Sequence, residues 1–459
     1  MIGLPNLKVL PKRSYLSRLK IFHTQPDVWS CAKMSSSSQS RSPWAPDYTE
    51  IDLHDPANFA DGPPYDAFAT LRNNAPVAFH PERPRRQGGK EGPGFWCITR
   101  HRDVQIVSKD PDTYSSWLGG FTGADLSGVV LEETRLNMMG MDPPDHTLLR
   151  HSIRQPFGPA WVRDLEGNIS NFASEILDKV CERGEIDFVA EVAAELPLRV
   201  LAHIMGVGSA DTKLFFDWYN RIIGNHDHDF GGSVHDFRDA KDELFSYGRE
   251  VIAAKRKKPG DDMVSYFVST EIDGNKLDDE RLILLWFLLL VAGNETTRSS
   301  LTGAMEVLSG FPDQRAILCS NIPQHLAGFI EETLRYTNPV LHFRRTATKD
   351  VVLGEASIKA GDKLLLWYPS ANRDTEVFHE PDNFDLARTP NNHVAFGVGP
   401  HFCLGARLGR LQIQVMLTSL LRRLPDIEVV GRAQRTHSNF LNSAKTLPVS
   451  FTPTRIDAD

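Results

Sequence analysis

Phe396-Gly397-Val398-Gly399-Pro400-His401-Phe402-Cys403-Leu404-Gly405 sets one cysteine in a glycine-punctuated turn directly before an apolar-periodic segment. The thiolate is the form of cysteine that binds metal, and in a buried site its charge must be offset. Leu408, Leu411, Val415 and Leu417 follow at roughly helical spacing, so the free N–H groups of Leu404, Gly405 and Ala406 are placed to face the sulfur. Gly397, Gly399 and Gly405 permit close backbone approaches there, and Phe396 can shield the sulfur from water. Cys403 is therefore a candidate metal ligand, set against the plainer reading of a small buried apolar side chain. Two rival local readings, His401 with Cys403 as zinc ligands and Cys403 as a hydrolase nucleophile, find neither a second cysteine pair nor a nucleophile signature.

Around this turn lies a chain of 459 residues, 41% hydrophobic and 24% charged, a composition able to build a large core. A net charge of -8 argues against a nucleic-acid partner. Five scattered cysteines, Cys31, Cys97, Cys181, Cys319 and Cys403, show no disulfide framework and fit a reducing compartment. The longest apolar run, Leu282 to Ala292, is about half of what a membrane span needs, so no transmembrane anchor is expected. Residues 1–33 carry six Lys or Arg against the single acid Asp27 and lead into Ser35 to Ser38. Residues 1–45 read as a basic, Ser-rich disordered extension, its alternatives an upstream start preceding Met34 or an organelle presequence; residues 46–459 read as one globular domain.

Within that domain, turns at Asp55-Pro56 and Gly62-Pro63-Pro64 precede a helix near 65–72, and Phe95 to Thr99 reads as a strand. Tyr114 to Leu131 mixes four glycines with Trp117, Leu118 and Phe121. Asp142-Pro143-Pro144-Asp145-His146 feeds a helix on which His146 and Arg150 share a face. His226, Asp227, His228 and Asp229 read as a polar loop in preference to a metal site. Val291-Ala292-Gly293-Asn294-Glu295-Thr296-Thr297 puts glycine and polar groups into a helix uniform enough to be buried, which marks either a site or a helix break with a capping group. Glu332 and Arg335 stand three apart on one helical face. Alternating strands run from Arg344 through Leu366.

Phe396, Gly399, Cys403 and Gly405, with His401 at the basic position, together resemble the haem-binding loop of the cytochromes P450. Ala292-Gly293-x-acid-Thr296 is similar to the oxygen-binding groove of that family's central helix, and Glu332-x-x-Arg335 to its structural ion pair. The resemblance covers about residue 46 to the C-terminus and implies the mainly α P450 fold with a small β-rich region. It implies haem b with Cys403 as the axial ligand, and a propionate cradle of His146, Arg150, Arg345, His393 and His401. Phe396, Gly397, Gly405, Ala292 and Gly293 would then contact the cofactor. A local opening of the helix would make room for dioxygen, which Thr296 would hydrogen-bond, Glu295 would help relay protons, and Arg388 would dock on the Glu332–Arg335 pair. Pro400, which lacks a backbone donor, is the one local departure.

Such an enzyme is a monooxygenase that takes electrons from NAD(P)H through a ferredoxin reductase and a ferredoxin, for which Arg407 and Arg410 would form part of the docking face. The absence of a span places it with the soluble bacterial type and points to the cytoplasm, with an organelle matrix as the alternative if residues 1–33 are a presequence. Val291 to Arg298, Phe343 to Asp350 and Ser438 to Asn442 look most like the actinobacterial enzymes that hydroxylate the terminal methyl of sterol side chains and methyl-branched lipids. Trp117, Phe121, Val291 and Val340 are the expected substrate contacts. A terpene or other secondary metabolite as substrate, a peroxide-driven peroxygenase and a non-enzymatic haem-thiolate sensor are the alternatives.

Overall fold

The computed structural model describes residues 52–82, 92–208, 211–223 and 234–456. The extension at 1–45 and the His226 to Asp229 loop lie outside these residues. Elements used below are, in chain order, β1 (Val77–His80), β2 (Phe95–Ile98), β3 (Tyr114–Ser115), α1 (Gly128–Leu136), α2 (Asp145–Ile153), α3 (Glu195–Ile204), α4 (Asp279–Gly310), α5 (Ile322–Thr337), β4 (His342–Ala347), β5 (Lys363–Trp367) and α6 (Ala406–Arg423). An unlabelled helix at Tyr65–Asn74 extends the expected one by two residues, and the strand expected from Phe95 is β2.

The apolar run at 282–292 becomes part of the 32-residue helix α4, which is about 48 Å long at 1.5 Å per residue. Its start is fixed by Asp278, whose carboxylate accepts from the Arg281 N–H at 2.8 Å. Phe311-Pro312 ends it, because proline disfavours helical geometry in the residue before it. Around this axis pack Leu196, Leu198 and Leu201 of α3 and Met416, Leu417 and Leu420 of α6. Each such side chain, fully buried, contributes roughly 1.5–3 kcal/mol.

The helix does not break at Gly293 to Thr297. Thr296 Oγ1 donates to the Ala292 carbonyl at 2.8 Å, Thr297 to Gly293 at 3.3 Å and Ser300 to Thr296 at 2.7 Å. Each of these hydroxyls finds its acceptor one turn back, so the helix continues without the expected opening or cap, while the buried Asn294 amide has no hydrogen-bond partner among the described residues.

Beside the helices, five strands pair in the order β1-β2-β5-β4-β3. β5 runs parallel to β2, with Leu364 opposite Trp96, and antiparallel to β4, with Leu364 opposite Arg345. Trp96, Ile98, Leu364 and Leu366 fill one apolar cluster, while Phe95, Cys97, Leu365 and Trp367 fill another. The period-two alternation thus buries both faces. No helix among the described residues is long and apolar enough to cross a membrane.

Candidate functional site

One face of α4 forms a cavity wall: Leu285, Leu288, Leu289, Ala292, Gly293, Thr296, Thr297 and Ser300 recur at helical spacing along it. The remaining wall comes from Met138 and Met139, Leu201 and Ile204 of α3, Val340, Phe343 of β4 and the Phe396 to Gly405 turn, including Cys403. Gly293 is where α3 comes closest, since a Cβ there would meet Leu201 Cδ2 at 2.9 Å. Apart from the hydroxyls, Gln412, Cys403 and a basic edge the lining is apolar.

Cys403 is held by its N–H, which donates to the Phe396 carbonyl at 2.8 Å. Burial pushes the thiol pKa up, opposed by the Gly405 N–H at the start of α6 and by the charges of Arg150 and Arg410. Pro400 causes no defect, because it occupies the second position of the short turn Gly399–His401, where a backbone N–H still has no partner within the turn to lose. Arg410 lies 4.3 Å over the Phe396 ring and clasps Glu331 with N···O distances of 2.6 and 2.7 Å. Burial alone would raise the Glu331 pKa, but the bonds from Arg410 and His393 hold it down at about 2.

His146 and Arg150 project from the same face of α2 and reach the cavity. Arg345 shares a strand face with Phe343, and the His401 ring lies 4.1 Å from that of His146. Burial and then Arg150 lower the His146 pKa to about 4, and burial with Arg345 and His146 depresses that of His401 further. Arg150 and Arg345 have no carboxylate in an ion pair among the described residues, and neither ring nitrogen of His146 has a hydrogen-bond partner. Arg150 on the cavity wall and Arg345 beside it supply two cations without an ion-paired carboxylate, and His146 and His401 add neutral imidazoles next to them, a set that fits a flat, apolar molecule bearing carboxylates.

Several expected site residues fall elsewhere. His393 does not join the basic cluster: its Nε2 lies 3.1 Å from Glu331, and its Nδ1 accepts from the Ala395 N–H. Glu295 faces away from the cavity, 1% exposed, with Arg298 at 3.5 Å, because consecutive residues on a helix point about 100° apart. Val340 lines the cavity, whereas Trp117, Phe121 and Val291 do not. Trp117 packs beneath Arg135 and Phe121 against Phe343. Arg407 is exposed, but Arg410 is committed to Glu331 and Phe396.

Arg335 meets Glu332 through two parallel bonds of 2.7 Å. Arg388 Nε reaches Glu332 at 3.0 Å, and the Asp385 N–H and Asn391 side chain complete the carboxylate's partners. The pair is a structural knot that ties α5 to the segment 372–391, outside the cavity wall.

The cytochrome P450 family profile matches residues 198–430. The chain is 36% identical over 406 residues to the steroid C26-monooxygenase of Mycobacterium tuberculosis, covering 88% of this chain and 93% of that one. It is 36% identical over 391 residues to the methyl-branched lipid omega-hydroxylase of the same organism, covering 84% and 90%. Among solved structures, Mycobacterium marinum cytochrome P450 CYP268A2 in complex with pseudoionone superposes with a TM-score of 0.82 at 33% identity, covering 90% of this chain and all of that one. The chain belongs to the cytochrome P450 family and is a monooxygenase. Members of the family bind haem through a cysteine thiolate and use dioxygen, redox partners and a lipophilic substrate. The apolar cavity, its single cysteine and its basic edge fit that cofactor.

Proposed function

We propose that the protein hydroxylates a terminal methyl group of a sterol side chain or methyl-branched lipid, with Cys403 as the thiolate ligand of haem b. The observation that carries this reading is the placement of Cys403 with Ala292 and Thr296 in the wall of one apolar cavity, His146, Arg150 and His401 also lining it and Arg345 lying close behind the two histidines. His146, Arg150, Arg345 and His401 would hold the propionates, and Phe396, Gly397 and Gly405 would pack the thiolate side. When bound, the haem supplies the oxidising power for oxygen insertion into a C–H bond.

The chain's own part is placement and proton control. Leu285, Leu288, Leu289, Val340 and Phe343 exclude water and hold an apolar substrate. Thr296 Oγ1 is within reach of cavity protons and is held by the Ala292 carbonyl. Glu295 serves as the proton reserve behind it, paired with Arg298 until it turns. Both curated relatives reported above carry names that specify oxidation at a chain end, which supports the regiochemistry. A ferredoxin is the electron donor in this reading, with exposed Arg407 on its docking face.

The test has two arms. Cys403→Ser should abolish the thiolate-type carbon monoxide spectrum of the reduced protein, since a neutral hydroxyl is a poor soft ligand; a spectrum like that of the unmodified protein refutes the ligation. Ferric enzyme titrated with cholest-4-en-3-one, a methyl-branched fatty acid, a monoterpene alcohol and a glycosylated macrolide should shift to high spin with the first two and yield terminal alcohols. Turnover of the macrolide alone, or mid-chain hydroxylation of a lipid, refutes the substrate reading.

A further inference from the structure

Asp142 opens the turn before α2 and does not line the cavity, although its charge reaches His146 and Arg345. It nevertheless has an unusual number of partners. Ser115 Oγ donates to Oδ2 at 2.5 Å, the Ser116 N–H to Oδ1 at 2.8 Å and the Trp117 N–H to Oδ2 at 3.4 Å. The Leu118 N–H then donates to Ser115 Oγ at 3.0 Å, so one carboxylate organises four consecutive residues from the last of β3 onward. The Asp142 main-chain carbonyl accepts from the His146 N–H at 3.0 Å and starts α2.

The same knot touches the Cys403 turn. Ser116 Oγ lies 3.4 Å from His401 Nε2, and the His401 ring packs at a tilt against that of His146. Ser115 pairs with Thr346 on β4, the residue beside Arg345. Three segments far apart in sequence, carrying His146, Arg345 and His401, therefore converge on the two serines that Asp142 fixes. A carboxylate receiving two backbone N–H groups and a hydroxyl makes charge-assisted bonds, which are about twice as strong as neutral ones.

Resting on the haem reading above, we propose that Asp142 is a positioning residue for the cofactor: by fixing Ser115 and Ser116 it sets the orientation of His401, and through it His146, toward the propionates. It acts at one remove and touches neither substrate nor cofactor. Asn in its place keeps the shape but turns one acceptor into an N–H donor facing backbone N–H groups, so the knot must loosen.

The experiment measures haem release from full-length holoprotein to excess apomyoglobin for the unmodified chain, Asp142→Asn, Ser116→Ala and the double variant. Before release is measured, the reduced carbon monoxide spectrum of the unmodified chain establishes thiolate ligation; without it the functional reading fails, separately from this one. Release should accelerate about tenfold in Asp142→Asn, the scale of one lost charge-assisted bond, and a few-fold in Ser116→Ala. The double variant should release no faster than Asp142→Asn alone, because both act through one path. Unchanged release in Asp142→Asn, or fully additive acceleration in the double variant, overturns the proposal. If Asp142→Asn does not fold, Ser115→Ala removes one of the same bonds, and its cycle with Ser116→Ala decides by the same criterion.

Discussion

Arg335 and Glu332 are both fully excluded from solvent and joined by two N–H···O bonds of 2.7 Å. The remaining guanidinium donors go to the carbonyls of Asn372, Pro381 and Asn383. Every lone pair that the carboxylate turns toward the protein is likewise met, by Arg388, Asp385 and Asn391. Such a pair offsets its desolvation only while it is complete. Glu332→Gln should therefore destabilise the fold by about 3–5 kcal/mol, the cost of stranding a buried cation. Urea unfolding of the two proteins followed by circular dichroism measures it, and a difference below about 1 kcal/mol would contradict the pairing energetics.

Thr296→Ala should retain haem and substrate affinity but divert electrons into peroxide. The Thr296 hydroxyl is fixed by the Ala292 carbonyl and faces the cavity, while the methyl group of alanine can hold no proton-donating partner. The ratio of product formed to NAD(P)H consumed should fall by about a hundredfold, the low end of the range for general acid–base groups. Unchanged coupling would leave Thr296 as a helical residue with a satisfied hydroxyl.

Gly399→Ala should weaken haem retention. Gly399 has φ +76°, and a Cβ there would sit 2.5 Å from the Ser108 carbonyl oxygen, which belongs to backbone and has little room to move. Strain in this conformation costs about 1–3 kcal/mol, and it falls four residues before Cys403. Haem content after gel filtration should drop, whereas Gly310→Ala, where nothing lies within 4 Å, should leave it unchanged.

His342 supplies a pH dependence independent of the cofactor. Burial lowers its pKa to about 4, against the bond its Nδ1 makes with the Asn439 carbonyl at 2.8 Å, and Lys363 adds to the lowering. The unfolded chain titrates near 6.5 and so binds the proton first. Stability linked to His342 is thus complete above pH 6.5 and is lost as the pH falls toward about 4, by about 3 kcal/mol at most. His342→Gln should flatten the urea-midpoint profile across that interval, and an equally steep profile would assign the effect elsewhere.

The parts legible in the sequence were those written by short-range spacing. The Phe396 to Gly405 turn, the Glu332–Arg335 pair and the Ala292, Gly293 and Thr296 positions of α4 each follow from residues within a few turns of one another. Contacts between distant segments were not. His393 was expected among the basic groups, but Glu331, sixty-two positions earlier, captures it. Glu295 and Thr296 are neighbours in sequence and diverge in space, because helical rotation carries Glu295 to Arg298. Trp117 and Phe121 were read as substrate contacts from their glycine-rich setting, yet Arg135, Phe343 and the Asp142 knot fix that loop away from the cavity. Nothing in a local window distinguishes Asp142 from an ordinary turn aspartate.

The coil between Asn372 and Asn391 contains no strand and scarcely a helical turn, and by its secondary structure alone it would be the natural place for a protease to cut. Yet Arg335 gathers its carbonyls at 372, 381 and 383, and Arg388 returns from its far end to Glu332. Cleavage needs an extended stretch that can leave the surface and enter another enzyme's cleft. Here such a departure would first have to dismantle a buried ion pair, so susceptibility to digestion in this segment reports the integrity of the interior and not the looseness of a surface.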